Sequence, residues 1–162
     1  MIRAVLVLGW VGIALFVATA IGGYHVASEE SAQQHLMLSL FPCGALLLTD
    51  LCVVIYVTAV LRLVRRTAAE LGLSADWLTG QRAALRGTST LGVAGIVTLG
   101  FVFGSGFPAY VQRWPVWMHH AGAILAMVLQ VAFLLRAGPA LRRGEAHLAK
   151  LGATVEAQAA GG

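Results

Sequence analysis

Apolar residues fall in four long runs along the chain, separated by short polar segments. The runs cover about Ala4 to Tyr24, Leu36 to Leu61, Thr88 to Phe107 and Ala121 to Leu141. A helix needs roughly 20 mostly apolar residues to cross the hydrocarbon of a bilayer, and each run meets that requirement. The second is the longest and is expected to tilt or to project beyond the bilayer. The pattern predicts an all-α integral membrane protein, with a four-transmembrane-helix bundle in residues 1–143. A short cytoplasmic tail, 144–162, is expected to start as a weak helix and to end in disordered Ala and Gly residues.

The first run shares features with a secretory signal, since Arg3 precedes it and Ala18-Thr19-Ala20 resembles a cleavage site. It is longer than a usual signal core, its flank holds a single Arg, and it resembles the third run, which cannot be a signal. It is therefore read as a retained span.

The loops give the orientation. His25 to His35 carries Glu29 and Glu30 and no Lys or Arg, and Pro108 to Met118 carries only Arg113. Arg62, Arg65, Arg66, Arg82 and Arg86 lie between the second and third runs. Arg3 precedes the first, and Arg136, Arg142, Arg143 and Lys150 end the chain. Ten of the eleven basic residues thus fall on one side. Positive residues stay in the cytoplasm, so both termini are expected inside (N-in/C-in). The segment from Thr67 to Arg86 reads as cytoplasmic and partly helical, with Ser74 as a cap and Trp77 and the arginines at headgroup level.

An internal repeat is also visible. Leu8-Gly9-Trp10-Val11-Gly12-Ile13 matches Leu91-Gly92-Val93-Ala94-Gly95-Ile96 at an offset of 83, as Gly23 matches Gly106. His35 matches His119 at 84, and Arg65-Arg66 matches Arg142-Arg143 at 77, which implies one or two extra turns in the second run. The expectation is two tandem helical hairpins of the same orientation, related by an axis along the membrane normal. Gly9/Gly12 and Gly92/Gly95 are spaced to let helix backbones approach closely.

Composition agrees with the pattern. The chain of 162 residues is 59% hydrophobic and 11% charged, against about 25% charged in a soluble domain. The net charge of +4 comes without an aromatic-interleaved basic groove, so nucleic acid is not an expected partner. Expected partners are the lipid bilayer and either further copies of the chain or other membrane subunits. Richness in Ala, Gly and Arg with little Lys points to a bacterial inner membrane. Cys43 and Cys52 are nine residues apart in one apolar run, too far for a bridge within a straight helix, and read as small apolar residues.

The polar residues inside or at the ends of the runs are the candidates for chemistry. His25, His35, His119 and His120 lie at the outer face, and only His147 lies at the inner one. His35 and His119 hold equivalent places in the two repeats. Imidazoles facing each other across a four-helix bundle suit axial ligation of haem iron. Met37, Met118 and Cys43 lie nearby in sequence, and soft sulfur would suit copper(I), with His35, His119, Met37 and Met118 as the candidate ligand set. The plainer alternative is a set of interfacial histidines with their polar tips in water. Adjacent His119 and His120 point about 100° apart, so one of them at most faces a given partner.

Asp50 lies near the middle of the second run, where an ionisable group is costly and faces the bundle interior. Gln130 lies at comparable depth in the fourth run, on the face of His119. Asp50 lies within about 60° of the face of His35. An interior track of His35, His119, Asp50 and Gln130, joined by Thr49, Thr98 and Ser105, reads as a proton path, a quinone or haem contact, or a polar clasp between helices. Tyr110, Trp114 and Trp117, in the third loop and at its edge, fit an interfacial belt or a cover over an apolar ligand.

No nucleophile elbow, phosphate loop or paired-carboxylate site is present, so the chain is not expected to be a stand-alone hydrolase, kinase or nucleotide enzyme. The layout, with histidines at helix ends, resembles small four-helix b-type cytochromes and the membrane anchors of respiratory complexes. That likeness is of architecture and not of a residue-by-residue signature. It implies a small electron-transfer subunit holding haem b near the outer face by His35 with His119 or His120. A non-catalytic accessory subunit is the alternative, and copper handling the third option. Haem b, copper and no cofactor are all compatible with this pattern.

Overall fold

The computed structural model describes residues 2–26, 28–72, 76–110 and 113–161, with 76–84, 107, 158–159 and 161 as backbone only. The expected Ser74 cap lies outside the described residues, as do the side chains of Trp77 and Arg82. Four helices account for nearly all of the rest: α1 (Ile2–Gly23), α2 (Glu29–Glu70), α3 (Asp76–Tyr110) and α4 (Val116–Gly161). All four are long and apolar enough to cross a membrane.

The helix ends follow from local chemistry. Ser28 caps α2, accepting from the Ser31 backbone N–H at 3.2 Å while the Ser31 hydroxyl accepts from the Ser28 N–H at 2.9 Å. Glu29 and Glu30 then sit in the first turn, where the helix dipole favours anions. At the other end the Leu71 N–H still bonds Thr67, and Gly72 follows at φ 64°, the left-handed conformation that stops a helix.

α2 and α4 run far past their apolar spans. At 1.5 Å per residue each is roughly 60–70 Å long, about twice the hydrocarbon thickness. Their C-terminal extensions pack on each other: Val60, Val64 and Leu151 are buried together, with Tyr56, Leu71 and Leu148 against them. This explains why the tail is helical to Gly161 where the sequence suggested a weak helix and disorder. Leu148 and Leu151, one turn apart, keep an apolar stripe going after Arg143, and α2 is long enough to cover it. Gly144, at the expected start of the tail, lies inside α4 against the Tyr56 ring.

In the bundle, α1 packs on α2, α2 on α3, α3 on α4 and α4 on α1, and α2 meets α4 across the diagonal. Among the described residues α1 and α3 do not touch. The close approaches occur at glycines. A β-carbon on Gly9 would lie 3.0 Å from Thr49 Cγ2 and 2.7 Å from Leu134 Cδ2, and one on Gly12 would lie 3.0 Å from Leu46 Cδ2. On α3, a β-carbon on Gly92 would lie 2.5 Å from Val54 Cγ2 and 2.9 Å from Phe133 Cε2, and one on Gly95 would lie 2.8 Å from Gln130 Nε2. Backbones this close gain dispersion contacts, a principal source of helix association in lipid, where apolar burial between helices brings no hydrophobic gain.

The polarity is inverted relative to a soluble bundle. Thr49, Asp50, Ser105 and Gln130 are buried, while Phe41, Ile55 and Val97 on the outer flanks are 75%, 64% and 66% exposed. Apolar side chains outside and polar ones inside mark a multi-pass membrane protein, since lipid is the only surrounding in which that arrangement is favourable.

Replacing Gly92 with Val is expected to destabilise the bundle by about 1–3 kcal/mol, because Val54 and Phe133 leave no room. Gly44→Ala, where nothing lies within 4 Å, is expected to cost nothing. Thermal unfolding in mild detergent, followed by circular dichroism, checks both. Equal melting of Gly92→Val and the parent would refute the close approach.

Candidate functional site

At the end of the bundle where α1 and α3 finish and α2 and α4 begin, the helices leave a cavity of about 330 Å³. Every helix contributes to its wall: Phe16, Ala20 and Tyr24 from α1 and the turn after it, His35 and Leu36 from α2, Gly106 and Tyr110 from α3, His119, His120 and Met127 from α4. A smaller cavity of about 40 Å³, reaching Ser39, Cys43 and Phe103, shares His35 and His119 with the first. The two imidazoles therefore stand where the two spaces meet. A volume above 300 Å³ with mostly apolar walls and few convergent polar groups is the usual make-up of a small-molecule site.

Glycines seat both histidines. A β-carbon on Gly23 would lie 2.8 Å from His35 Cε1, and one on Gly106 would lie 3.5 Å from His119 Cε1. The bare backbone of α1 thus receives one ring and that of α3 the other.

His119 is further oriented by Ser105. The Ser105 hydroxyl donates to the Val102 carbonyl at 3.1 Å, and its oxygen lies 3.1 Å from His119 Nδ1. When the hydroxyl proton is directed at Val102, the oxygen accepts from Nδ1–H, and that tautomer leaves the Nε2 lone pair open, the form in which an imidazole binds a metal. His120 stacks on Tyr24, ring centroids 4.5 Å apart and planes 14° from parallel. Its ring centroid is 5.9 Å from that of His119.

Of the residues singled out in the sequence, His35, His119 and His120 are brought together. His25 is exposed in the turn after α1 and does not line the cavity. Met37 is 65% exposed on the outer flank of α2. Neither it nor Met118 lines either cavity, whereas Cys43 is buried and reaches the smaller one. Among the described residues no three His, Cys, Asp or Glu side chains gather as a chelating metal site. Tyr110 lines the cavity, while Trp117 is 68% exposed and Trp114 leans on Phe101 at a centroid distance of 6.2 Å.

Asp50 and Gln130 meet at the middle of the bundle, where Gln130 Nε2 donates to Asp50 Oδ2 at 2.7 Å. Thr49 and Thr98 bond carbonyls of their own helices and do not continue the chain of polar contacts. Sequence reasoning placed Ser105 on the interior track but not against His119. It also missed Tyr24 as the partner of His120. The signal for the histidine seats was present: Gly23 and Gly106 repeat at nearly the same offset as His35 and His119.

No protein family, curated protein or solved structure matches this chain.

Ser105→Ala is expected to release the His119 ring, so that its two neutral tautomers mix, while Ser105→Thr keeps the Nδ1–H form. Ring-nitrogen chemical shifts in ¹⁵N-histidine-labelled protein report this directly. Identical His119 shifts in the parent and in Ser105→Ala would show that the hydroxyl does not set the tautomer.

Proposed function

We propose that the protein is a small membrane redox subunit in which His35 and His119 would hold a haem b near the outer face. The observation that carries this reading is the pairing itself. Two imidazoles from the two diagonal helices line the same pair of cavities, and one of them meets the Ser105 hydroxyl at Nδ1, 3.1 Å away. Haem needs only two ligands from the protein, because the porphyrin supplies four nitrogens; a bare copper ion needs its whole shell from side chains. The residues present fit the first demand better than the second. When bound, haem b supplies one-electron chemistry. The chain's own residues orient the ligand rings through Ser105, Gly23 and Gly106, and exclude water with Phe16, Leu36 and Met127. His120, stacked on Tyr24, borders the same cavity as an alternative ligand to His119.

The topology belongs to the same proposal. Three contacts of α1 with α2 (Gly9–Thr49, Gly12–Leu46, Gly23–His35) have counterparts between α3 and α4 (Gly92–Phe133, Gly95–Gln130, Gly106–His119). Every counterpart is displaced by 83 residues on the odd helix and 84 on the even one. This supports two tandem hairpins related by a pseudo-two-fold axis along the membrane normal, with His35 and His119 as symmetry mates. Basic residues concentrated at the opposite end from the cavity support cytoplasmic termini and a site facing the outside of a bacterial inner membrane.

Protein purified in mild detergent after expression with added haem precursor is expected to show a Soret band and a low-spin spectrum at about one haem per chain. His35→Ala and His119→Ala each abolish the low-spin form, and His120→Ala retains it. No Soret band in the parent, or an unchanged spectrum in the His35→Ala/His119→Ala double variant, would dismiss haem binding and favour a non-catalytic accessory subunit.

For the orientation, single cysteines at Ser28 and Gly152, in a chain without Cys43 and Cys52, are expected to differ. The first should react with a membrane-impermeant thiol reagent in intact cells, and the second only after permeabilisation. The reverse pattern would invert the topology.

A further inference from the structure

The pair in the middle of the bundle is incompletely bonded as it stands. Gln130 Nε2 donates to Asp50 Oδ2 at 2.7 Å, yet Asp50 Oδ1 and Gln130 Oε1 are both buried with no hydrogen-bond partner. Both orphaned atoms are oxygens that accept. The hydroxyls of Thr49 and Thr98 are directed at the carbonyls of Ala45, Ala94 and Gly95. Arg66 pairs with Glu70, exposed near the C-terminal end of α2, and among the described residues no cation pairs with Asp50. Buried polar atoms without partners are rare in folded proteins, and each calls for a missing donor.

Size and number decide which donor fits. A metal cation takes six or more oxygens when hard, or a set of soft ligands; here two oxygens are left over. Both orphaned oxygens are buried, and neither Asp50 nor Gln130 lines either cavity. A proton needs no room. Placed on the carboxyl, it makes Asp50 a carboxylic acid whose O–H can donate to Gln130 Oε1 while Gln130 N–H donates to the other carboxyl oxygen. Acid and primary amide are complementary in this way, one donor and one acceptor on each. We infer that Asp50 is a proton-binding site at the centre of the bundle, occupied in the folded protein, with the bound proton completing a two-bond clasp to Gln130. The clasp joins α2 to α4, the helices that also carry His35 and His119, and it does not depend on any cofactor at the outer cavity.

Infrared difference spectroscopy of the lipid-reconstituted protein at neutral pH tests this. The remaining described carboxyl side chains, Glu29, Glu30, Glu70, Glu145 and Glu156, are all exposed, so a band from a protonated carboxyl in an apolar setting isolates Asp50. The parent minus Asp50→Asn spectrum is expected to contain that band, shifting in D₂O. Asp50→Asn, which offers Gln130 the same donor and acceptor without a titratable proton, is expected to melt with the parent. Asp50→Leu and Gln130→Leu should each melt several degrees lower. A difference spectrum with carboxylate bands only overturns the inference, as does an Asp50→Asn protein that loses as much stability as Asp50→Leu. The spectrum remains decisive if the leucine variants fail to fold.

Discussion

Hydrocarbon offers no hydrogen bond, so every polar side chain between the two faces of this protein has to find its partner inside the bundle. The solutions differ with the side chain. Thr49, Thr98 and Ser105 fold back on carbonyls three or four residues earlier in their own helices. A hydroxyl can do this at any depth, and it ties nothing to a second helix. Asp50 and Gln130 are too large and carry too many polar atoms for that device. Each needs the other, and so α2 and α4 are drawn together across the diagonal. α1 and α3, whose apolar runs carry no carboxyl or amide side chain, do not touch among the described residues. The diagonal contact of α2 with α4 therefore carries the one hydrogen bond that Asp50 and Gln130 make between helices.

Close approach then has to be permitted, and glycine permits it. Gly9 and Gly12 admit Thr49 and Leu46; Gly92 and Gly95 admit Phe133 and the Gln130–Asp50 pair. Gly23 and Gly106 do the same for His35 and His119 a few turns further out. One device thus serves two ends. Toward the middle it brings side chains into dispersion contact, which is what association in lipid rests on. Toward the cavity end it seats two imidazoles and leaves the space between the helices open.

The four spans were legible because each is a long uninterrupted apolar run, and solvent preference is written residue by residue. The glycine spacing was legible for the same reason, as an i, i+3 pattern repeated at a fixed offset. Helix extents beyond the membrane were not. They depend on Val60 and Val64 meeting Leu151, a contact between segments about ninety residues apart. The tail has few apolar residues and reads as weak until its partner is known. The histidine cluster was half legible: depth along a helix follows from counting residues, so His35, His119 and His120 could be placed at one level. Their neighbours could not, because Ser105 reaches His119, and Tyr24 reaches His120, only through helix rotation. Met37 shows the converse error. It is two residues from His35 in sequence, yet about 200° away around the helix, and so it faces outward.

The two polar centres are separated by fifteen residues of α2 and eleven of α4, roughly 16–22 Å at 1.5 Å per residue. At that distance neither Asp50 nor Gln130 reaches the cavity that the histidines line. Their relation is mechanical. α4 runs without proline between His119 and Gln130, while Pro42 interrupts the hydrogen-bond ladder of α2 between His35 and Asp50, so the clasp fixes the helices' separation at mid-bundle and constrains the His35 end only through that weakened turn. The clasp departs from the sequence repeat that runs through the rest of the frame. By the 84-residue offset the counterpart of Gln130 is Leu46 and that of Asp50 is Leu134, both apolar and both buried. One half of the frame supplies the acid and the other the amide, so the pair can form once and only across the diagonal. A symmetric bundle would have two equivalent ways to slide its helices past each other; this one has a single register in which its buried polar atoms meet.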